Sequence, residues 1–269
     1  METASFNRSH CESFLQGAKA EGWITGQREI EFLLAAYPDG CLVSLSGGRP
    51  SGFVTAVRYL KSAWIGNLLV LPEYRCQGIG RNLMQQVLHG LDLSGCETVW
   101  LTASAEGAHL YRTLGFMQID RVRRWRGSGG KPALWGGSRV YTAAVATIDC
   151  MGWGDNRRTI FEALPENCRC FTTHDGFLVH SLSDDGHQFG PWGALSDEGA
   201  AALLESALVD DGTKGELFLD VPEKNHSAGE LLVSKGFTVA GTTLLMYRGR
   251  EPEYRAEYIY SLASMGSYG

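Results

Sequence analysis

The chain has 269 residues, 44% hydrophobic and 20% charged, with a formal net charge of −6. That charge argues against phosphate-backbone binding as the main task, which needs a basic footprint, although an acidic protein can still attract cationic amines. No apolar run approaches the roughly 18–20 residues of a membrane span, and the polar start, Met1 to His10, lacks an apolar signal core, so the expected compartment is the cytoplasm.

The length suits two domains of about 130 residues each. In chain order, Glu12–Ala20 and Gln27–Ala36 read as short amphipathic helices, broken by Gly22 and by Pro38-Asp39-Gly40. Cys41–Ser46, a Gly47-Gly48 turn and Pro50–Tyr59 read as a hairpin, and Ala63–Leu71 as an apolar strand ending at Pro72. Leu83, Met84, Val87, Leu88 and Leu91 form one helical stripe. A strand over Thr98–Thr102, a helix over Gly107–Leu114 and a strand over Met117–Trp125 follow. The basic run Arg121–Arg126 reads as a solvated strand edge. Gly127–Pro132, with Gly136-Gly137 beyond it, is the linker candidate. The second half is expected to run strand Val140–Ile148, helix Asn156–Leu164, and strands Phe177–Leu182 and Gln188–Trp192. Helix Asp197–Leu208, capped by Ser196, comes next, then strand Glu216–Val221, helix Ala228–Lys235 and a final strand Thr238–Tyr247.

The halves repeat. Ser104 precedes Gly115-Phe116 by eleven residues, Asn225 precedes Gly236-Phe237 by eleven, and one offset of 121 relates them and places Leu83 opposite Leu204. Domains over 1–130 and 138–269 are the expected division. The seven cysteines contain no C-x-x-C pair and read as reduced thiols, Cys168 and Cys170 included. His174, His180 and His187, near Asp175, Asp184 and Asp185, have spacings that fit no zinc pattern. They read as strand and turn residues, and no metal site is expected.

The chemistry concentrates in Leu68 to Arg81. An apolar strand containing Leu69 and Val70 runs into Arg75-Cys76-Gln77-Gly78-Ile79-Gly80-Arg81, and a helix begins at once. A helix N-terminus offers unpaired N–H groups and a partial positive charge, which suit an anion. Gly78 and Gly80 let backbone approach a pyrophosphate, and Arg75 and Arg81 add donors. The loop lacks the third glycine of G-x-G-x-x-G and the Lys-Ser/Thr of a P-loop.

Its V-x-P and R-x-x-G-x-G spacing, continued at Leu110-Tyr111-Arg112-Thr113-Leu114-Gly115-Phe116, resembles the GNAT acetyltransferase superfamily. The whole chain resembles the two-domain members with a diverged second domain. The resemblance implies an α/β fold (α+β layered) of tandem GNAT-like domains, each a mixed, mostly antiparallel sheet flanked by helices. It implies acetyl-CoA in a splayed gap between strands Ala63–Leu71 and Thr98–Thr102. Backbone near Leu69 and Val70 would meet its acetyl end, Arg75, Cys76, Gln77, Gly78, Ile79, Gly80 and Arg81 its phosphates, and Ser104 would stand where an asparagine is common. Tyr111 is the expected general acid, its phenol pKa of about 10 lying near that of a thiol. Glu73, Glu106 and His109 are near the motifs, but the base stays unassigned. The usual opening strand is expected to be short or missing.

At the 121-residue offset, Arg75–Gly80 falls on Ser196–Ala201 and Tyr111 on Leu232, so the second half lacks cradle and acid. It is expected to shape an acceptor pocket, with Asp220, His180 and Trp192 as candidates, or a homodimer surface. The leading expectation is an N-acetyltransferase acting on a small-molecule amine. A protein lysine or N-terminal acetyltransferase and a non-catalytic acetyl-CoA-binding scaffold stay open.

Overall fold

The computed structural model describes residues 2–130, 141–164, 168–183, 186–209 and 214–269. The first half runs β1 (Glu2–Ser5), α1 (Cys11–Ala20), α2 (Gln27–Ala36), β2 (Leu42–Ser46), β3 (Arg49–Arg58) and β4 (Ser62–Val70). It continues with α3 (Ile79–Leu93), β5 (Thr98–Ala103), α4 (Ala108–Thr113) and β6 (Met117–Gly130). The second half runs α5 (Ala143–Trp153), α6 (Arg158–Ala163), β7 (Arg169–Thr172), β8 (Gly176–Ser183), β9 (Gly186–Ala194) and α7 (Asp197–Val209). It ends with β10 (Lys214–Pro222), α8 (His226–Ser234), β11 (Thr238–Gly249) and β12 (Ile259–Ser261). The short opening strand expected from sequence is the four-residue β1.

The two halves share one sheet, in the order β1-β2-β3-β4-β5-β11-β6-β10-β9-β8-β7, with β12 added to β9. Among the described residues, only β4–β5 and β9–β10 pair in parallel. Each half lends its long strand to the other: β6 pairs with β10, while β11 inserts between β5 and β6. The repeat explains this exchange, since β6 and β11 begin 121 residues apart and lie antiparallel to each other. The motif before them is equally matched. Phe116 N donates to Tyr111 O and Phe237 N to Leu232 O, both at 3.0 Å, while Gly115 and Gly236 take φ of +88° and +82°.

Four sequence expectations change. Val140 lies outside the described residues, and the strand expected to follow it is helix α5. Thr142 caps it by accepting from Val145 N at 3.3 Å, alanines favour it, and Gly154 ends it at φ +70°. The basic run is not an edge. Inside the sheet, Arg121 and Arg123 meet Glu223, Arg124 meets Asp220 and Arg126 meets Glu216, so β10 and the residue just after it supply the counter-charges. Gly127–Gly130, read as linker, is the paired end of β6; Lys131, Pro132 and Gly136-Gly137 lie outside the described residues, as do Asp184 and Asp185. The strand read as final is followed by β12, whose three residues were too short to show a period.

The second half also fixes where β4 meets β5. Trp153 of α5 packs edge-on to Trp64 and Trp100, with ring centroids 6.2 and 5.5 Å away. Burying such rings contributes roughly 2–3 kcal/mol each. Asp155 accepts from Lys61 N and from the Ser62 N–H at 2.8 Å and hydroxyl at 2.7 Å, clamping the first residues of β4.

Candidate active site

β4 and β5 pair only at Ser62/Thr98, Ala63/Val99 and Trp64/Trp100, and beyond the tryptophans the strands part. A β-bulge with Asn67 at φ +54° bends β4 away. This is the splayed gap expected from sequence. Leu71 N donates to Ser51 O at 3.0 Å, so strand alternation gives the Leu69 backbone to Phe53 of β3 and turns that of Val70 toward the gap. The Val70 C=O accepts from Arg75 Nε at 3.0 Å, leaving its N–H on the open side. Of the two expected backbone positions, only Val70 therefore faces the gap, while the Leu69 side chain is buried in the core.

Below Val70, the chain turns through Cys76 at φ +60° and Gly78 at φ +80° into α3, which has no side-chain cap. The first-turn amides, Ile79 to Arg81, are those an α-helix leaves without an internal acceptor. Among the described residues, no atom beyond the chain neighbours lies within 4 Å of where a Gly78 Cβ would sit, and at Gly80 the nearest is Val70 Cγ2 at 3.6 Å. The space over the helix start is open. A cleft of about 260 Å³ follows, lined by Leu69, Val70, Arg75, Cys76, Gly78, Ile79 and Gly80. Four further walls were not among the expected site residues: Leu68 and Tyr74, from the motif stretch itself, and Glu21 and Trp23, from the break between α1 and α2. Glu21 holds Arg75, and Arg81 reaches Thr113 Oγ1 at 3.0 Å, so both arginines rest on protein partners beside the cleft. Gln77 is exposed, its amide 3.5 Å from Glu73 O.

Tyr111 lies on α4, half-buried, its ring 5.9 Å from that of Phe116. Burial pushes its phenol up to about 12, and among the described residues no group bonds its hydroxyl. Ser104 Oγ accepts from Gly107 N at 3.1 Å and starts α4, the job that Asn225 Oδ1 does for α8 by accepting from Ala228 N at 2.9 Å. Glu106 is exposed, and hydrogen bonds from its own backbone and Ser104 lower its pKa, which weakens it as a base.

The second half closes both features. At the start of α7, Ser196 caps Gly199 N at 3.0 Å and donates to Asp175, whose carboxylate lies over Gly199, where a Cβ would meet it at 2.4 Å. The gap between β9 and β10 is filled by β12, with Leu262 N donating to Asp220 O at 2.8 Å. The three pocket candidates from this half are core residues. Asp220 is fully buried and takes Arg124 through two 2.8 Å bonds, Trp192 packs on Tyr260, and His180 meets His187 at 3.1 Å. Burial and the neighbouring His187 push His180 down to about 3.

After β12 the chain crosses to the first half. Segment 262–269 lies on the splay: Gly266 O accepts from Asn67 N at 3.3 Å, Met265 O accepts from Thr102 Oγ1, and Gly269 lies against Trp64. Gly66 permits the approach, since a Cβ there would stand 2.2 Å from Gly266 O.

Two family patterns match this architecture: that of the acetyltransferase (GNAT) family over residues 5–116, and that of an acetyltransferase (GNAT) domain over residues 145–261. The chain belongs to the GNAT acetyltransferase family. Its GNAT relatives include the ribosomal protein bS18-alanine N-acetyltransferase of Escherichia coli K12, 35% identical over 102 residues. That match covers 37% of this chain and 62% of the relative. The holothin acyltransferase of a Pseudoalteromonas strain is 24% identical over 262 residues, covering 92% of this chain and 88% of the relative. The crystal structure of a candidate acetyltransferase from Pyrococcus horikoshii shares the fold at a TM-score of 0.85 and 23% identity, covering 100% of this chain and 95% of that one. Among the described residues, no helix of this GNAT chain is long and apolar enough to cross a membrane.

Proposed function

We propose that the protein is an acetyl-CoA-dependent N-acetyltransferase that moves the acetyl group directly to a primary amine of a small molecule. The observation carrying this reading is the asymmetry of the repeat. One half keeps an open helix start beside a splay covered on one side by segment 262–269, while the other sets Asp175 at its helix start and fills its splay with β12. One donor site per chain follows. The first-turn amides of α3 and the room over Gly78 fit a pyrophosphate. Arg75 and Arg81 would exchange their present partners for it.

Bound there, acetyl-CoA supplies an activated acyl carbon with a thiolate leaving group. The Val70 N–H is positioned to polarise the thioester carbonyl, as in an oxyanion hole. Tyr111, protonated throughout the neutral range, is the proton donor to the leaving sulfur. An alkyl amine of pKa ~10 costs about 4 kcal/mol to deprotonate at pH 7, so a base is required. The small-molecule reading is supported by segment 262–269, which covers one side of the splay, and by the likeness to holothin acyltransferase across both halves. A protein N-terminus as acceptor is supported by the likeness of the first half to the bS18-alanine enzyme.

The test is thiol release from acetyl-CoA across small amines and N-terminal peptides. Preference for peptides would overturn the small-molecule reading. Titration calorimetry with coenzyme A tests the cradle separately. Gly78→Val forces a β-branched residue to φ +80° and fills the open space, so affinity should fall at least about tenfold. Undiminished binding would remove the cradle from α3. Asp175→Ala should create no second binding site, because β12 still closes the second splay.

A further inference from the structure

We propose that Glu29 is the carboxylate that receives the acceptor ammonium and takes its proton, in a pocket completed by segment 262–269; the assignment rests on the amine-acetylation reading above. Glu29 lies on α2, on the side of the sheet where segment 262–269 lies. Its Oε1 accepts from Ser264 Oγ at 3.4 Å and its Oε2 from Thr25 Oγ1 at 3.1 Å, and Ser267 bonds it as well. Ser267 Oγ in turn accepts from Asn67 Nδ2 at 3.3 Å, in the bulge of β4. The same loop that spans the two parted strands therefore carries the hydroxyls that hold Glu29.

The partners are what an ammonium needs. Among the described residues Glu29 has no salt-bridging cation, only hydroxyls and the Gly26 backbone. An ammonium has three N–H donors, and Ser264 and Ser267 can each rotate to accept one while Glu29 takes the third. Arg124 of β6, which feels the Glu29 charge, spends its guanidinium fork on Asp220. From the segment itself, Tyr268 feels the carboxylate as a neutral phenol, held well above its ordinary pKa first by burial and then by the Glu29 charge. Glu29 also keeps part of its surface open to solvent. Burial of the carboxyl raises its pKa, which brings a carboxylate nearer the basicity a proton acceptor requires.

The step balances. The ammonium gives one proton to Glu29, and the freed nitrogen forms the C–N bond as the C–S bond breaks. Tyr111 protonates the sulfur and regains a proton from the amide nitrogen; Glu29 releases its own to solvent. One ammonium and one acetyl thioester become one acetamide, one thiol and one proton.

The test compares wild type with Glu29→Gln and Glu29→Asp, using tyramine, 2-phenylethylamine, lysine and spermidine as probes. At pH 7, kcat/KM for the best amine should fall about 100-fold in Glu29→Gln, with coenzyme A affinity unchanged and the acidic limb of the kcat/KM profile lost. Glu29→Asp should recover part of the rate. By carbon-13 NMR, the Glu29 carboxyl, identified by its absence in Glu29→Gln, should titrate above the other glutamates and shift when amine is added. Turnover of Glu29→Gln within about threefold of wild type would sink the assignment and leave the functional reading standing. Wild type that binds coenzyme A yet acetylates no amine would sink both.

Discussion

Tyr111→Phe is expected to lower kcat by about 10²- to 10⁴-fold while leaving coenzyme A affinity and stability unchanged. The ring is what packs: it faces Phe116 at 5.9 Å, and the anchoring bond from Phe116 N goes to the backbone oxygen. Phenylalanine keeps both and removes one hydroxyl. That hydroxyl has no protein partner among the described residues, so its loss strands no donor inside the protein. Burial pushes the phenol up to about 12, so the proton stays in place as pH rises through neutrality and well beyond. Steady-state kinetics against pH, alongside calorimetry, checks this. Unchanged kcat would remove Tyr111 from the reaction. An alkaline loss of kcat near pH 9 that vanished in Tyr111→Phe would mean that burial does not govern the group.

Asp149→Ala should cost about 3–5 kcal/mol of stability, because it strands a charge. Asp149 and Arg157 are almost fully buried and joined by two bonds, Nη2 to Oδ1 at 2.7 Å and Nε to Oδ2 at 3.1 Å. The guanidinium lies 4.1 Å over the Trp153 ring, and among the described residues its Nη1 has no hydrogen-bond partner. Removing the carboxylate leaves the cation under the tryptophan that packs on Trp64 and Trp100. Urea unfolding measures the loss. The double variant Asp149→Leu with Arg157→Met should recover much of it, since a pair replaced by apolar groups leaves no orphan. A double variant no better than the single one would locate the effect in packing. Because Trp153 stands at the junction of β4 and β5, coenzyme A affinity should weaken in the single variant.

Local rules made most elements legible. The stripe Leu83, Met84, Val87, Leu88 and Leu91 is buried in α3 as its spacing predicts. The loop from Arg75 to Gly80 announced itself because positive φ and a helix start select glycine. Helix α5 was misread because Val145, Thr147 and Ile148 favour strands, and its cap at Thr142 carries little weight against them in sequence alone. Glu21, Trp23 and Glu29 left no motif, since pocket walls are chosen by what they face.

The sequence by itself carried the repeat of the fold, a helix start suited to phosphate in one copy alone, and the second motif that holds Tyr111. Those are short-range facts, written in spacings of a few residues. Tertiary structure alone decided that β6 and β11 change places, that Asp175 and β12 close the second copy, and that segment 262–269 reaches back to Asn67 and Glu29. The physical reason is range. A strand's hydrogen-bonding edge accepts any partner of suitable register, so pairing across more than a hundred residues is set by global packing and loop closure, which no local pattern encodes.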